Sequence, residues 1–287
     1  MIKIYSSNNE FLVLLDTYKD AYTTETLSTG SSTLCFKVPC VEEMFNYIQE
    51  ENYVETPDYR YIIKEINMND NNFIEVHCGP DYETLKGRLF KAFDCYKVSL
   101  KDAYEYCVSR SSGWTVEYNS ANREIATYQL ENVFGYDMIL QIAEDYQQEF
   151  WFDTKNKVLK IYDKMGSQFG AYYSNQLKMR QLIKQSSTYD YATVLYPIGK
   201  NGLTINVVND NKDYLENYSY TNKQIEKLFI DEDCEVAEIL KAKAEAYLDE
   251  ISVPRASYQV KLTDLGETVA IGDTIILVDK IKQIKQK

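Results

Sequence analysis

Apolar and polar positions alternate with a period of two along much of the first 79 residues, as expected of short strands that bury one face. Ile2 and Ile4 alternate with polar neighbours, and Phe11 to Leu15 is a short apolar run. Leu34 to Val38, Asn52 to Thr56, Tyr59 to Asn67 and Phe73 to Gly79 follow as further strands. Gly30-Ser31-Ser32 and Asn69-Asp70-Asn71-Asn72 supply turn chemistry between them. One helical spacing interrupts, at Val41, Met44, Phe45 and Ile48. Short strands at such close intervals predict a small barrel or sandwich.

The period changes near Asp94. Ser99 stands where a helix N-cap would, with Asp102 in the first turn and Leu100, Ala103, Tyr104 and Cys107 on one face. Gly113 and Trp114 end that helix and Thr115 to Tyr118 begins a strand. Phe134 to Phe150 predicts a longer amphipathic helix, striped by Met138, Ile139, Ile142, Ala143 and Tyr146. A hairpin follows, with strands at Glu149 to Phe152 and Val158 to Tyr162 around a turn at Asp153 to Asn156. This segment reads as an α/β module, and Met179 to Ser187 as a polar connector leaving it.

Tyr191 to Val207, YATVLYPIGKNGLTINV, predicts two strands around a glycine turn. Ala192, Val194, Leu195 and Tyr196 enter it, Lys200-Asn201-Gly202 supplies residues that tolerate positive φ, and Leu203, Ile205 and Val207 leave it. Leu195 and Ile205 should pack inside and Lys200 to Gly202 lie exposed. Asp233 to Ile251 predicts a second long helix, begun by acidic residues that suit the helix dipole and stopped by Pro254. Ser257 to Thr263, Thr274 to Val278 and an amphipathic tail over Lys280 to Lys287 complete the strands, with Gly272-Asp273 as a turn.

Composition narrows the function classes. The chain has 287 residues, enough for about two domains. Its net charge of -13 argues against tight binding to nucleic acid, whose phosphates it would repel. The 26 tyrosines favour half-buried strands and contact surfaces, because the ring is apolar and its tip polar. No apolar run reaches the roughly 18 residues of a membrane helix, and the N-terminus lacks a signal-peptide core. The six cysteines, Cys35, Cys40, Cys78, Cys95, Cys107 and Cys234, have no C-x-x-C spacing and read as free thiols.

Candidate chemistry is sparse. A single histidine, His77, removes zinc-protease motifs that need two. It sits on the Phe73-Glu75-His77 face of an alternating strand, with Cys78 on the opposite face, so the two are not a preformed dyad. Gly166-Ser167-Gln168-Phe169-Gly170 lacks the spacing of a nucleophile elbow. Asp231 to Glu238 reads as a helix N-terminus, and Asn209-Asp210-Asn211 as a turn rather than a calcium loop. Trp114 and Trp151 read as core, although exposed aromatics would suit a sugar. No catalytic, cofactor-binding or metal-ligating residue is assigned.

Four ordered stretches carry a resemblance: Ser99 to Glu117, with Gly113-Trp114-x-Val116; Asp137 to Gly166; Tyr191 to Thr204, with L-Y-P-x-G-K-x-G-L; and Glu238 to Asp279, with P-x-x-S-Y-x-V and then I-G-D. The chain resembles the N-terminal region of phage minor tail proteins, the tail-associated lysins of the prophage endopeptidase tail family. One position departs from the pattern, since Val194 stands where the family signature usually has arginine.

The resemblance implies a baseplate-hub-like α+β fold. A first β-barrel domain would occupy 1–96, an α/β accessory domain 97–187, and a second β-barrel domain 188–287, with an inserted helix at 233–251. It implies a homotrimer whose six barrels form a pseudo-hexameric ring at the tail tip of the virion, assembled in the host bacterial cytoplasm. Distal tail and tape-measure proteins would be its partners, and DNA would pass the channel without specific binding. No cofactor is implied. Lytic activity would lie in a C-terminal region beyond Lys287. Two other readings stay open: a peptidoglycan-degrading tail endopeptidase and a host carbohydrate-binding module.

Overall fold

The computed structural model describes residues 1–68, 72–123, 128–167, 171–174, 179–262, 269–279 and 284–286; of the expected turn at Asn69 to Asn72, all but Asn72 lies outside them. The chain divides into two compact units, Met1–Met165 and Gly166–Lys287.

The first unit begins with strands β1 (Ile2–Tyr5), β2 (Phe11–Leu15), β3 (Lys19–Thr26), β4 (Ser31–Pro39), β5 (Tyr53–Glu55), β6 (Arg60–Met68) and β7 (Phe73–Pro80). They form one sheet, antiparallel throughout, in the order β2-β1-β5-β6-β7-β4-β3. Period-two alternation decides the faces: Ile74, Val76 and Cys78 enter the core, while Phe73, Glu75 and His77 face the other way. No ladder joins β2 to β3 among the described residues, so the barrel expected over 1–96 is an open sheet. The reason lies in β3, whose eight residues KDAYTTET are all exposed and offer no apolar face to close upon. The helix expected over Val41 to Ile48 shortens to a single 3-10 segment, Glu42–Asn46.

The rest of this unit contains α1 (Glu83–Lys86), β8 (Leu89–Cys95), α2 (Leu100–Val108), β9 (Thr115–Asn119), β10 (Tyr128–Phe134), α3 (Gly135–Asp145), β11 (Glu149–Asp153) and β12 (Val158–Tyr162). Ser99 caps α2 as expected, its hydroxyl accepting the Asp102 N–H at 3.2 Å. The long helix starts only at Gly135, because Tyr128–Phe134 is held extended against β8. Gly135 lets α3 approach α2: a Cβ there would lie 2.3 Å from the Cys107 carbonyl oxygen. β12 pairs antiparallel with β11 and parallel with β9. The β11–β12 hairpin meets the seven-stranded sheet. Phe152 N–H donates to the Gly30 carbonyl at 2.8 Å, and the buried Thr154 hydroxyl donates to the Arg60 carbonyl and accepts the Arg60 N–H.

The second unit holds β13 (Ala171–Ser174), β14 (Met179–Ser187), β15 (Val194–Gly199), β16 (Leu215–Glu216), β17 (Glu226–Asp231), α4 (Ala237–Ile251), β18 (Arg255–Leu262), β19 (Ile275–Asp279) and β20 (Ile284–Gln286). Three small sheets result: β13-β19-β20, β14-β18 and β16-β15-β17. Two expectations are thereby corrected. Ala171–Ser174 and Met179–Ser187 pair with C-terminal strands rather than closing the α/β module, and no ladder joins β15 to β18, β19 or β20 among the described residues. Met179 to Ser187, expected as a connector, is a strand because β18 offers it a partner along its length. The helix expected from Asp233 begins at Ala237, since Glu226–Asp231 is drawn into parallel pairing with β15. Its acidic residues therefore precede the helix, leaving Glu238 in the first turn.

Candidate assembly surface

The second unit is built around β15 and the turn after it. Thr193, fully buried, donates its hydroxyl to the Lys223 carbonyl at 2.8 Å and accepts the Ile225 N–H at 2.9 Å, setting β17 beside β15. Pro197 is tolerated because β16 pairs only with Val194 and Leu195, leaving the proline on an unpaired stretch of that side. Gly199 N–H donates to Leu203 at 2.7 Å, and a Cβ on Gly199 would meet the Cys234 carbonyl at 2.7 Å. Asn201 and Gly202 take φ of 54° and 78°. Leu195 and Ile205 are both buried in one cluster with Leu240, Ala244 and Leu248 of α4, and Lys200 to Gly202 are exposed, as expected. The second expected strand is absent: Asn206–Val208 is a 3-10 turn. Val194 pairs across from Glu216 on one side and Glu226 on the other, so an arginine in its place would lie between two carboxylates.

Another glycine contact links distant motifs within this unit. Gly166, at φ 77°, packs so tightly on Gly272 that a Cβ would fall 2.2 Å from its carbonyl carbon. Asp273 accepts the Ser167 N–H at 2.6 Å and the Ala270 N–H at 2.9 Å, which holds its carboxyl below the usual range. Part of the expected Gly166 to Gly170 element, 168–170, lies outside the described residues.

The other residues with chemical potential are dispersed. His77 is half-buried on the outer face of β7, across from Cys35 and beside Glu75. The carboxylate of Glu75, not the imidazole, is the hydrogen-bond partner of the Cys35 thiol, at 3.8 Å. Burial pushes the Cys35 thiol up, opposite to the activation a nucleophile needs. Trp114 is buried against Phe152, while Trp151 is half-buried on the N-terminal core beside Tyr59. Asp231 and Glu235 are taken up by Lys243, at 3.0 Å, and by Lys200. A cleft of about 560 Å³ beside β8 is lined by Arg88, Lys91, Tyr106 and Arg110 and carries no carboxylate or thiol. No described helix is long and apolar enough to cross a membrane.

Several strands carry exposed surface. In β17 Leu228 and Ile230 face solvent while Phe229 packs toward α4. β14 and β18 pair over eight register positions, yet almost every residue of both is exposed or half-exposed, Leu182 being the buried one. Sequence reasoning found the apolar positions of β18 but missed β14, whose polar residues give no alternation to detect.

Comparison with known proteins matches both ends of the chain. Residues 2–78 match the prophage endopeptidase tail N-terminal domain, and residues 168–287 match the prophage endopeptidase tail domain. No curated protein matches the chain. Among solved structures, the prophage tail protein gp18 from Listeria monocytogenes is 15% identical, with a TM-score of 0.70 over 99% of this chain and 87% of that one. The tail protein from Neisseria meningitidis is 9% identical, with a TM-score of 0.72 over 99% and 88%. The 43 kDa tail protein of prophage MuSo2 from Shewanella oneidensis is 12% identical, with a TM-score of 0.71 over 99% and 90%. At such identities these structures establish the fold, and the two domain matches establish the lineage: the chain belongs to the prophage endopeptidase tail family of phage tail proteins.

Proposed function

We propose that this tail protein is the hub that ends the tail tube, a homotrimeric ring at the tail tip that passes the tape-measure protein and then DNA. The observation that carries the reading is the β14–β18 ribbon. Two paired strands are marginal in water without a covered face, and among the described residues this ribbon buries only Leu182 fully, with Met179, Tyr258, Val260 and Leu262 half-covered on the same small cluster and the remaining side chains exposed. Neighbouring copies in a ring would supply the missing cover. The exposed edge strand β3 asks for the same protection, because an unpaired edge is a template for another chain.

In this reading the open N-terminal sheet and the small C-terminal sheets act as the two tube-building parts, and the α/β module stands outside the ring. Part of the -13 charge lines the channel, where repulsion of phosphate keeps DNA moving. A basic lumen in a trimer map would overturn that assignment. Lytic activity is not assigned to this chain.

Light scattering of the purified chain should give three times the monomer mass. A monomer at the highest soluble concentration, in the presence of distal tail protein as well as alone, would overturn the trimer. A zymogram on bacterial cell walls tests the competing endopeptidase reading: clearing by this chain would defeat the structural one. Binding on a glycan array would favour the carbohydrate-binding reading.

A further inference from the structure

The outer face of the N-terminal sheet gathers three different metal-ligating side chains. Register sets Cys35 of β4 directly across from His77 of β7, and Glu75, two residues before His77, projects from the same face. One donor atom from each, the Cys35 thiol sulfur, a Glu75 carboxylate oxygen and a His77 ring nitrogen, lies within 4.8 Å of the other two. The Cys35 Sγ to Glu75 Oε1 distance is 3.8 Å. A tetrahedral zinc ion, with bonds of about 2.0–2.3 Å, holds its ligand atoms roughly 3.3–3.6 Å apart. Small side-chain rotations therefore bring the three atoms to ligand spacing without moving the strands.

We propose that Cys35, Glu75 and His77 bind a zinc-class divalent cation, with water completing a four-coordinate shell. The donor set selects the ion. A thiolate and an imidazole suit zinc or cobalt, whereas magnesium and calcium prefer oxygen alone. Binding replaces the thiol proton of Cys35 by a sulfur–metal bond and takes His77 in its neutral form. The surroundings are compatible. Lys37, 4.0 Å from Glu75, has Asp20 as a closer partner at 3.3 Å, so Glu75 can turn to the metal without leaving the ammonium unpaired. The adjoining ladder sets Glu65 across from His77, where it adds negative charge. Cys35 is buried at 5% exposure, whereas Glu75 and His77 are half-buried, which leaves the metal a path from the His77 side. The bound ion would tie β4 to β7 on the face opposite the apolar core.

The test uses the full chain in a Cys40→Ser background, because Cys40 is the exposed thiol among the six cysteines. Cobalt(II) added under a non-chelating reductant should give a thiolate-to-cobalt charge-transfer band that saturates at one ion per chain and is bleached by zinc. Cys35→Ser should abolish the band. His77→Gln and Glu75→Gln, at half-exposed positions on the face opposite the core, should each weaken zinc binding by more than about ten-fold. Zinc should raise the unfolding midpoint of the parent and leave that of Cys35→Ser unmoved. Absence of the band in the parent, or its survival in Cys35→Ser, would overturn the proposal, as would zinc affinity unchanged in both His77→Gln and Glu75→Gln.

Discussion

The α/β module, with strands β8 to β12, and the C-terminal unit, with strands β13 to β20, are packed in opposite ways. In the module twenty buried residues form one cluster, and its rings interlock: Phe152 touches Tyr82, Trp114, Tyr136 and Phe150. One polar network inside it is satisfied internally, whereas the buried Trp114 Nε1–H has no hydrogen-bond partner among the described residues. Tyr104 donates to Gln148, whose amide donates in turn to Tyr118 and Ser120. In the C-terminal unit the sheet under α4 has its own small core, but the cluster shared by β13, β14 and β19 counts only Tyr173, Leu182 and Leu277 as buried among the described residues. The module is stabilised by its own packing. The C-terminal ladders are held by register, glycine contacts and single polar links, and present surface to be covered. A part that packs on itself and a part that leaves its strands exposed need different sequences, and this chain contains both.

Variants can break that contrast. The largest effect belongs to Phe152→Ala, which empties the centre of the ring cluster. It should cost about 3–5 kcal/mol in urea unfolding followed by tryptophan fluorescence, with Trp114 at the cavity wall. A loss near 1 kcal/mol would mean the module core is softer than its packing indicates. Next comes Gly135→Ala, whose methyl group collides with the Cys107 carbonyl at the α2–α3 crossing. About 1–3 kcal/mol should be lost, in the same unfolding transition as Phe152→Ala.

In the C-terminal unit Thr193→Val keeps the shape but leaves the Ile225 N–H without its hydroxyl acceptor. The expected loss is about 1–3 kcal/mol, read by hydrogen exchange at β15 and β17 rather than by tryptophan, since both tryptophans lie in the first unit. Loss of protection confined to the first unit would contradict the assignment. Ser99→Ala should remove about 1 kcal/mol through the α2 cap. The smallest effect is the pH response of Asp273. Its folded carboxyl is held low by two backbone N–H donors, so its stabilisation is present above the ordinary aspartate range and disappears as pH falls through the depressed folded value. Parent and Asp273→Asn should differ near neutral pH and converge in acid, in a melting series; a gap that persists in acid would assign the effect to shape rather than charge.

How far the sequence could be read depended on whether an element carries its own apolar face. β7, α2, the β11–β12 hairpin and the Leu195 and Ile205 positions were legible because periodicity and capping are local properties. The family motifs were legible too, and the structure explains two of them. Gly199 is required by the Cys234 carbonyl, and the glycine of the I-G-D motif, Gly272, by its φ of 84°. β14 and β10 were not legible, because a strand whose side chains are mostly polar becomes a strand only when a partner offers it a ladder. The Cys35–Glu75–His77 grouping was hidden for a related reason. Alternation put Glu75 and His77 on one face, but nothing local pairs residue 35 with residue 77.

The sequence by itself determined where chain segments would turn, cap and bury, because backbone propensity and side-chain period act within a few residues. It also determined the family, through glycines and prolines whose backbone demands admit few substitutes. The tertiary structure alone decided which strands share a sheet, that the described residues form no ladder between β2 and β3, and that β13 and β14 join the C-terminal strands. Those outcomes rest on hydrogen bonds between residues up to about a hundred positions apart, and a backbone N–H carries no record in its own sequence of the carbonyl it will meet.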